Sequence, residues 1–134
     1  MLAFYIDLIG PVHWMSKHQK ATAASSAEAE IYATDECCKS LLDLAQILDF
    51  LDVQHIFMPS TTIIYNYNKA CVEWSKKATT KGLRHIQMHE NRVHENIASQ
   101  FILVCHIDGK INLADILTKE MKDTSHFVEL RALC

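Results

Sequence analysis

A chain of 134 residues, 49% hydrophobic and 22% charged, has the size and composition of one globular domain. Its net charge of −3 provides no global attraction to nucleic acid or to an anionic membrane, so any nucleic-acid contact has to be local. Three glycines and two prolines argue against long disordered linkers, and no apolar run approaches the roughly 20 residues that span a bilayer.

The segments LAFYI (residues 2 to 6) and VHWMS (12 to 16) are short, branched and aromatic. The turn cluster DLIGP lies between them, which predicts an antiparallel hairpin over 2–16. After the polar connector KHQKATAA comes the strongest helical pattern, predicted over 25–50. Ser25 followed three residues later by Glu28 forms a capping box, and Leu41, Leu44, Ala45 and Leu48 recur at helical spacing as one buried stripe. Pro59 stops the next connector. The run Ile63-Ile64-Tyr65 predicts a strand over 61–67, and NKACVEWSKK after it begins the helices that fill 68–99. That strand delivers Tyr67, bracketed by Asn66 and Asn68, to its carboxyl end, where α/β proteins place their ligand sites. QFILVCHI predicts a strand over 101–107, DGK turns out of it, and LADILTKEM opens a C-terminal helix over 113–130. The element order predicts an α/β (α+β) domain around a small mixed sheet, without internal repeats.

Five cysteines occur (Cys37, Cys38, Cys71, Cys105 and Cys134), with no CxxC pair among them. An odd count without metal spacing predicts reduced thiols and an intracellular, cytoplasmic setting. The opening MLAFYIDLIG lacks the basic start and length of a signal peptide.

Three constellations carry possible chemistry. Glu30 lies one turn into the long helix and Asp115 at the start of the last one. Paired carboxylates at element ends suit hard divalent cations, although the helix dipole alone also favours acids in first turns. In HENRVHE, His89 and His94 are five apart. At about 100° per residue they point roughly 140° apart, off a common face. His85 and His89 have the four-residue spacing of a zinc pair but no accompanying third ligand. Lys76, Lys77, Lys81 and Arg84 form a basic run that either grips a phosphate backbone or is a solvated helix end.

Together WMSKHQ, SSAEAEIYA, IYNYN, RHI and LADILTK, in this order and at this spacing, resemble the ribonuclease H domain at the end of copia-type (Pseudoviridae) retrotransposon polyproteins. The likeness covers about residues 2 to 130. It implies a mixed five-stranded sheet flanked by helices, and an Mg²⁺-dependent endonuclease that cuts the RNA strand of an RNA/DNA hybrid. In that family four acids hold two Mg²⁺ ions. Carried onto this sequence, the helix acid is Glu30, with Glu28 left to the cap, and the acid of the last helix is Asp115. The strand-end acid falls at position 67, which is tyrosine here.

The family's first acid stands in a D-A-D-W stretch on a strand before the hairpin, and this sequence starts at the hairpin. The expectation is therefore a truncated, degenerate ribonuclease H-like domain that lacks the first central strand and keeps two of four metal ligands. It would bind Mg²⁺ weakly and be inactive, with exposed sheet edges open to a protein partner and no membrane association. The parent element implies a cytoplasmic virus-like particle. Two rivals stand beside this: a non-catalytic module that binds nucleic acid through residues 76 to 84 or binds protein, and a zinc hydrolase using His85 and His89.

Overall fold

The computed structural model describes residues 2–18, 25–77, 87–117 and 123–133. Strands β1 (Leu2–Asp7) and β2 (Pro11–Lys17) form an antiparallel hairpin, registered from Leu2 opposite Lys17 to Ile6 opposite His13, with a bulge between Ile6 and Asp7. β1 buries alternate residues Leu2, Phe4 and Ile6, as a half-buried strand must, while β2 is exposed apart from Met15. Strands β3 (Thr62–Asn66) and β4 (Ile102–His106) pair in parallel, Thr62 opposite Ile102 through Asn66 opposite His106. A parallel pair needs a long crossover. Here it contains α3 (Lys69–Ser75) and α4 (Gln87–Ala98). Ile64, Ile102 and Val104 point into the core from this pair, whereas Ile63, Tyr65 and Leu103 face outward.

The mixture of helices and small sheets is the α/β class expected. The single mixed sheet is not seen. Among the described residues the strands form two separate pairs, β1-β2 and β3-β4. What unites them is α1 (Ser26–Phe50), which packs against β1, β3, α3 and α4. Its inward stripe of Ile31, Cys38, Leu41, Ala45 and Leu48 is buried, and Leu44 is partly buried beside it. Removing such side chains from water, at about 25 cal/mol per Å² of apolar surface, is what holds the two pairs to one helix.

Local chemistry sets the helix ends. Ser25 Oγ accepts the Glu28 N–H at 3.1 Å and starts α1. At the other end Asp52 adopts φ 57°. Its N–H bonds the Asp49 carbonyl at 2.9 Å and the Val53 N–H bonds the Leu48 carbonyl at 2.9 Å, a Schellman stop followed by the short α2 (Gln54–Phe57). Gln100, with φ 60°, ends α4 the same way, its N–H bonding Ile97 O and the Phe101 N–H bonding Asn96 O, each at 3.0 Å. Asn68 Oδ1 caps α3 by accepting the Cys71 N–H at 3.2 Å.

The C-terminal region departs from the single helix expected over 113–130. Gly109–Ile111 and Leu113–Leu117 are 3₁₀ turns, and an α-helix, α5, occupies Thr124–Ala132. The Asn112 side chain accepts the Ala114 N–H at 3.3 Å and donates to Asp115 Oδ1 at 3.3 Å, tightening the turn at its start. Asp123 caps α5 afresh by accepting the N–H groups of Ser125 and His126. The Leu113–Leu117 turn packs on β1, and Ser16 Oγ donates to Leu117 O at 2.7 Å, so the hairpin meets the region that follows β4.

Candidate functional site

The carboxyl end of β3 abuts the first turns of α1. Asn66, the last strand residue, is buried and directs its amide toward α1 and α3. Asn66 Nδ2 donates to Glu30 Oε2 at 3.1 Å and to Thr34 Oγ1 at 3.3 Å, and lies 3.6 Å from Cys71 Sγ. Its Oδ1 accepts the Asn68 N–H at 2.8 Å, which turns the chain out of the strand. The Thr34 hydroxyl donates to the Glu30 backbone carbonyl at 2.8 Å, fixing it one turn further along the same helix.

Tyr67 follows, 42% exposed, with its phenol hydroxyl donating to the Glu30 carboxylate. Partial burial, then the charge of Glu30 and its hydrogen bond, then the charge of Asp115, push this phenol up to about 12. Asp115 itself is buried in the 3₁₀ turn after β4. The Tyr67 phenol thus feels the charges of Glu30 and Asp115, which belong to two other elements. Cys71 lies in the same cluster with no exposed surface. Its thiol is pushed up to about 11, mainly by burial, against the opposing effect of the Thr34 hydrogen bond. It is protonated and unreactive near neutral pH. Glu28 faces elsewhere, buried and accepting the Tyr32 hydroxyl at 3.4 Å.

The donor set does not fit a pair of divalent ions. Such a site needs several clustered carboxylates to offset the mutual repulsion of the metals. Glu30 already takes two neutral donors and Asp115 takes the Asn112 amide. Among the described residues no group of three histidine, cysteine, aspartate or glutamate side chains is placed to hold a metal.

The other sequence candidates separate. Lys81, Arg84 and His85 lie outside the described residues. Lys76 and Lys77 are exposed just beyond α3, and Lys76 Nζ is 3.6 Å from Glu73. His89 is turned toward α1, its Nδ1 2.6 Å from Asp35 Oδ2 and its ring edge-on to Tyr32 with centroids 4.7 Å apart. His94 stacks on Trp74, also at 4.7 Å. Asp35 has no exposed surface and additionally faces Lys39 Nζ at 3.0 Å and Arg92 Nη1 at 3.5 Å, forming a charged knot between α1 and α4. Only the four-residue spacing of Asp35 and Lys39 hinted at this knot in the sequence. Among the described residues no helix is long and apolar enough to cross a membrane.

Over 111 residues, 82% of its length, the chain is 28% identical to the "Retrovirus-related Pol polyprotein from transposon TNT 1-94" of Nicotiana tabacum. Over 120 residues, 87% of its length, it is 28% identical to the "Retrovirus-related Pol polyprotein from transposon RE2" of Arabidopsis thaliana. Its relatives are transposon Pol polyproteins. The chain spans about 8% of the length of each. No protein-family model matches the chain, and no solved structure matches it.

Proposed function

We propose that this Pol-like chain is a copia-type ribonuclease H-like module that no longer cuts the RNA strand of an RNA/DNA hybrid. The observation that supports this is that Tyr67, the position where the motif order IYNYN calls for an acid, feels the charges of both Glu30 and Asp115. The similarity to transposon Pol polyproteins supports the retrotransposon origin. Two carboxylates, each already hydrogen-bonded within the protein, are too few anionic ligands to hold Mg²⁺ ions that keep their own waters tightly. Lys76 and Lys77, with Lys81 and Arg84, remain the proposed contact to a nucleic-acid backbone. Strand edges left by two-stranded sheets are the proposed place for a protein partner.

The test is incubation of the chain with a labelled RNA/DNA hybrid and MgCl₂ or MnCl₂. The expected result is intact RNA. Metal-dependent RNA fragments that disappear in Glu30→Gln would overturn the proposed loss of activity.

A further inference from the structure

The last turns of α1 are apolar on two sides. Leu41, Ala45 and Leu48 turn into the core, while Ile47, Phe50 and Leu51 share the other flank, roughly 130° away at about 100° per residue. Phe50 is 88% exposed, and Ile47 and Leu51 are each more than half exposed. A helix that is apolar all round belongs in a buried setting. These three side chains, with Asp43 and Gln46, line one open concavity, and a second has Asp49, Asp52 and His55 in its wall. Ile56 of the short α2 is also exposed.

The charge of this region has one sign. From Ser40 to Asn68 the sequence contains Asp43, Asp49 and Asp52 and no lysine or arginine. All three aspartates are exposed, and no lysine or arginine among the described residues pairs with them. Asp49 and Asp52 stand at the carboxyl end of α1, where the helix dipole is itself negative and the last turn holds no basic side chain.

We propose that this face docks a basic amphipathic helix of a partner protein. The partner's apolar stripe covers Ile47, Phe50 and Leu51, and its lysines or arginines answer Asp43, Asp49 and Asp52. Charge selects this occupant. The phosphates of nucleic acid or of an anionic membrane are repelled by three carboxylates, and a second copy in a two-fold dimer brings the same three against them. A helix satisfies its own backbone, so it asks of the surface only apolar contact and opposite charge. The docking surface is independent of the ribonuclease H-like reading.

The experiment is fluorescence anisotropy of the full chain with a labelled helical peptide of leucine and lysine, about four turns long and apolar on one face. Its counterpart carries glutamate for every lysine. The wild-type chain is expected to bind the lysine peptide at least about tenfold more tightly. Phe50→Ser is expected to weaken that binding about fivefold or more, and the double variant Asp43→Lys, Asp49→Lys to reverse the preference. Equal binding of the two peptides, or a Phe50→Ser chain that binds as tightly as wild type, would overturn the proposal. So would a chain that self-associates through Phe50 in sedimentation, or that binds phosphatidylserine vesicles through it. Should the variants fail to fold, NMR of the wild-type chain with the lysine peptide decides it. Amide shifts confined to residues 43 to 57 support the docking face, and shifts centred elsewhere overturn it.

Discussion

At Asp35 a carboxylate without exposed surface faces three nitrogen-bearing side chains: Lys39 on its own helix, and His89 and Arg92 on α4. Burying a charge is costly unless it is paired, so these partners are what allow Asp35 to stand at the α1–α4 contact. Asp35→Ala removes the buried anion that Lys39, His89 and Arg92 share. Removing one partner of a buried pair costs about 3 to 5 kcal/mol, and Lys39 and Arg92 are partly exposed and able to turn to water, which favours the lower end. Urea unfolding of Asp35→Ala is expected to show a loss of about 3 kcal/mol on that scale. A loss below about 1 kcal/mol, the size of a surface pair, would mean that the knot does not hold α4. The same scale shows what a sequence withholds. His89 and Asp35 are 54 residues apart, and the Asn66 amide reaches Glu30 across 36, so no local spacing announces either pair. The histidines were conspicuous as zinc candidates, but His89 pairs with a carboxylate and His94 stacks on an indole.

Helix starts in this chain were easier to read than helix stops. Ser25 before Glu28 is a local signal whose hydrogen bond forms within one turn. The stops at Asp52 and Gln100 use left-handed backbone at residues other than glycine, so the usual glycine marker is missing. The helix expected over 113–130 fails for a related reason, since Asn112 and Asp123 serve as local side-chain acceptors within and beside it and divide the segment. An L-residue at positive φ is strained where glycine is not, while glycine brings more freedom to the unfolded chain. For Gln100→Gly the first effect wins at a Schellman position, and a gain of about 0.5 to 1 kcal/mol is expected in the urea midpoint analysis. Gln100→Val, β-branched at the same φ, is expected to lose stability. A Gln100→Gly chain less stable than wild type would show that the backbone there is not left-handed in solution.

For the whole molecule, two small sheets lean on one long helix, α1, which packs on β1 and β3, and the turn after β4 packs on β1. Glu30 and Asp115 draw notice in the sequence because they sit in motifs whose order survives, and Tyr67 because it breaks one of them. Thr34, Asn66 and Cys71, which complete the cluster, were not singled out as site residues, since each is an ordinary residue of its element until the fold aligns them. The division into two sheets was also hidden from any account of strands in chain order, because pairing is decided by which strands α1 brings side by side.

The Tyr67 phenol reports on whether the charges of Glu30 and Asp115 reach it. Its value is raised from 10.0 to about 12, with the charges of Glu30 and Asp115 contributing. A raised folded value stabilises the fold fully below pH 10 and loses that contribution as pH rises toward 12. The direct measurement is ¹³C NMR of the Tyr67 ring through alkaline pH in the wild-type chain and in Glu30→Gln. The expected result is a phenol still mostly protonated at about half a unit above the ordinary tyrosine value, with a lower titration point once the Glu30 charge is gone. A Tyr67 that titrates at the ordinary value in both chains would contradict the account.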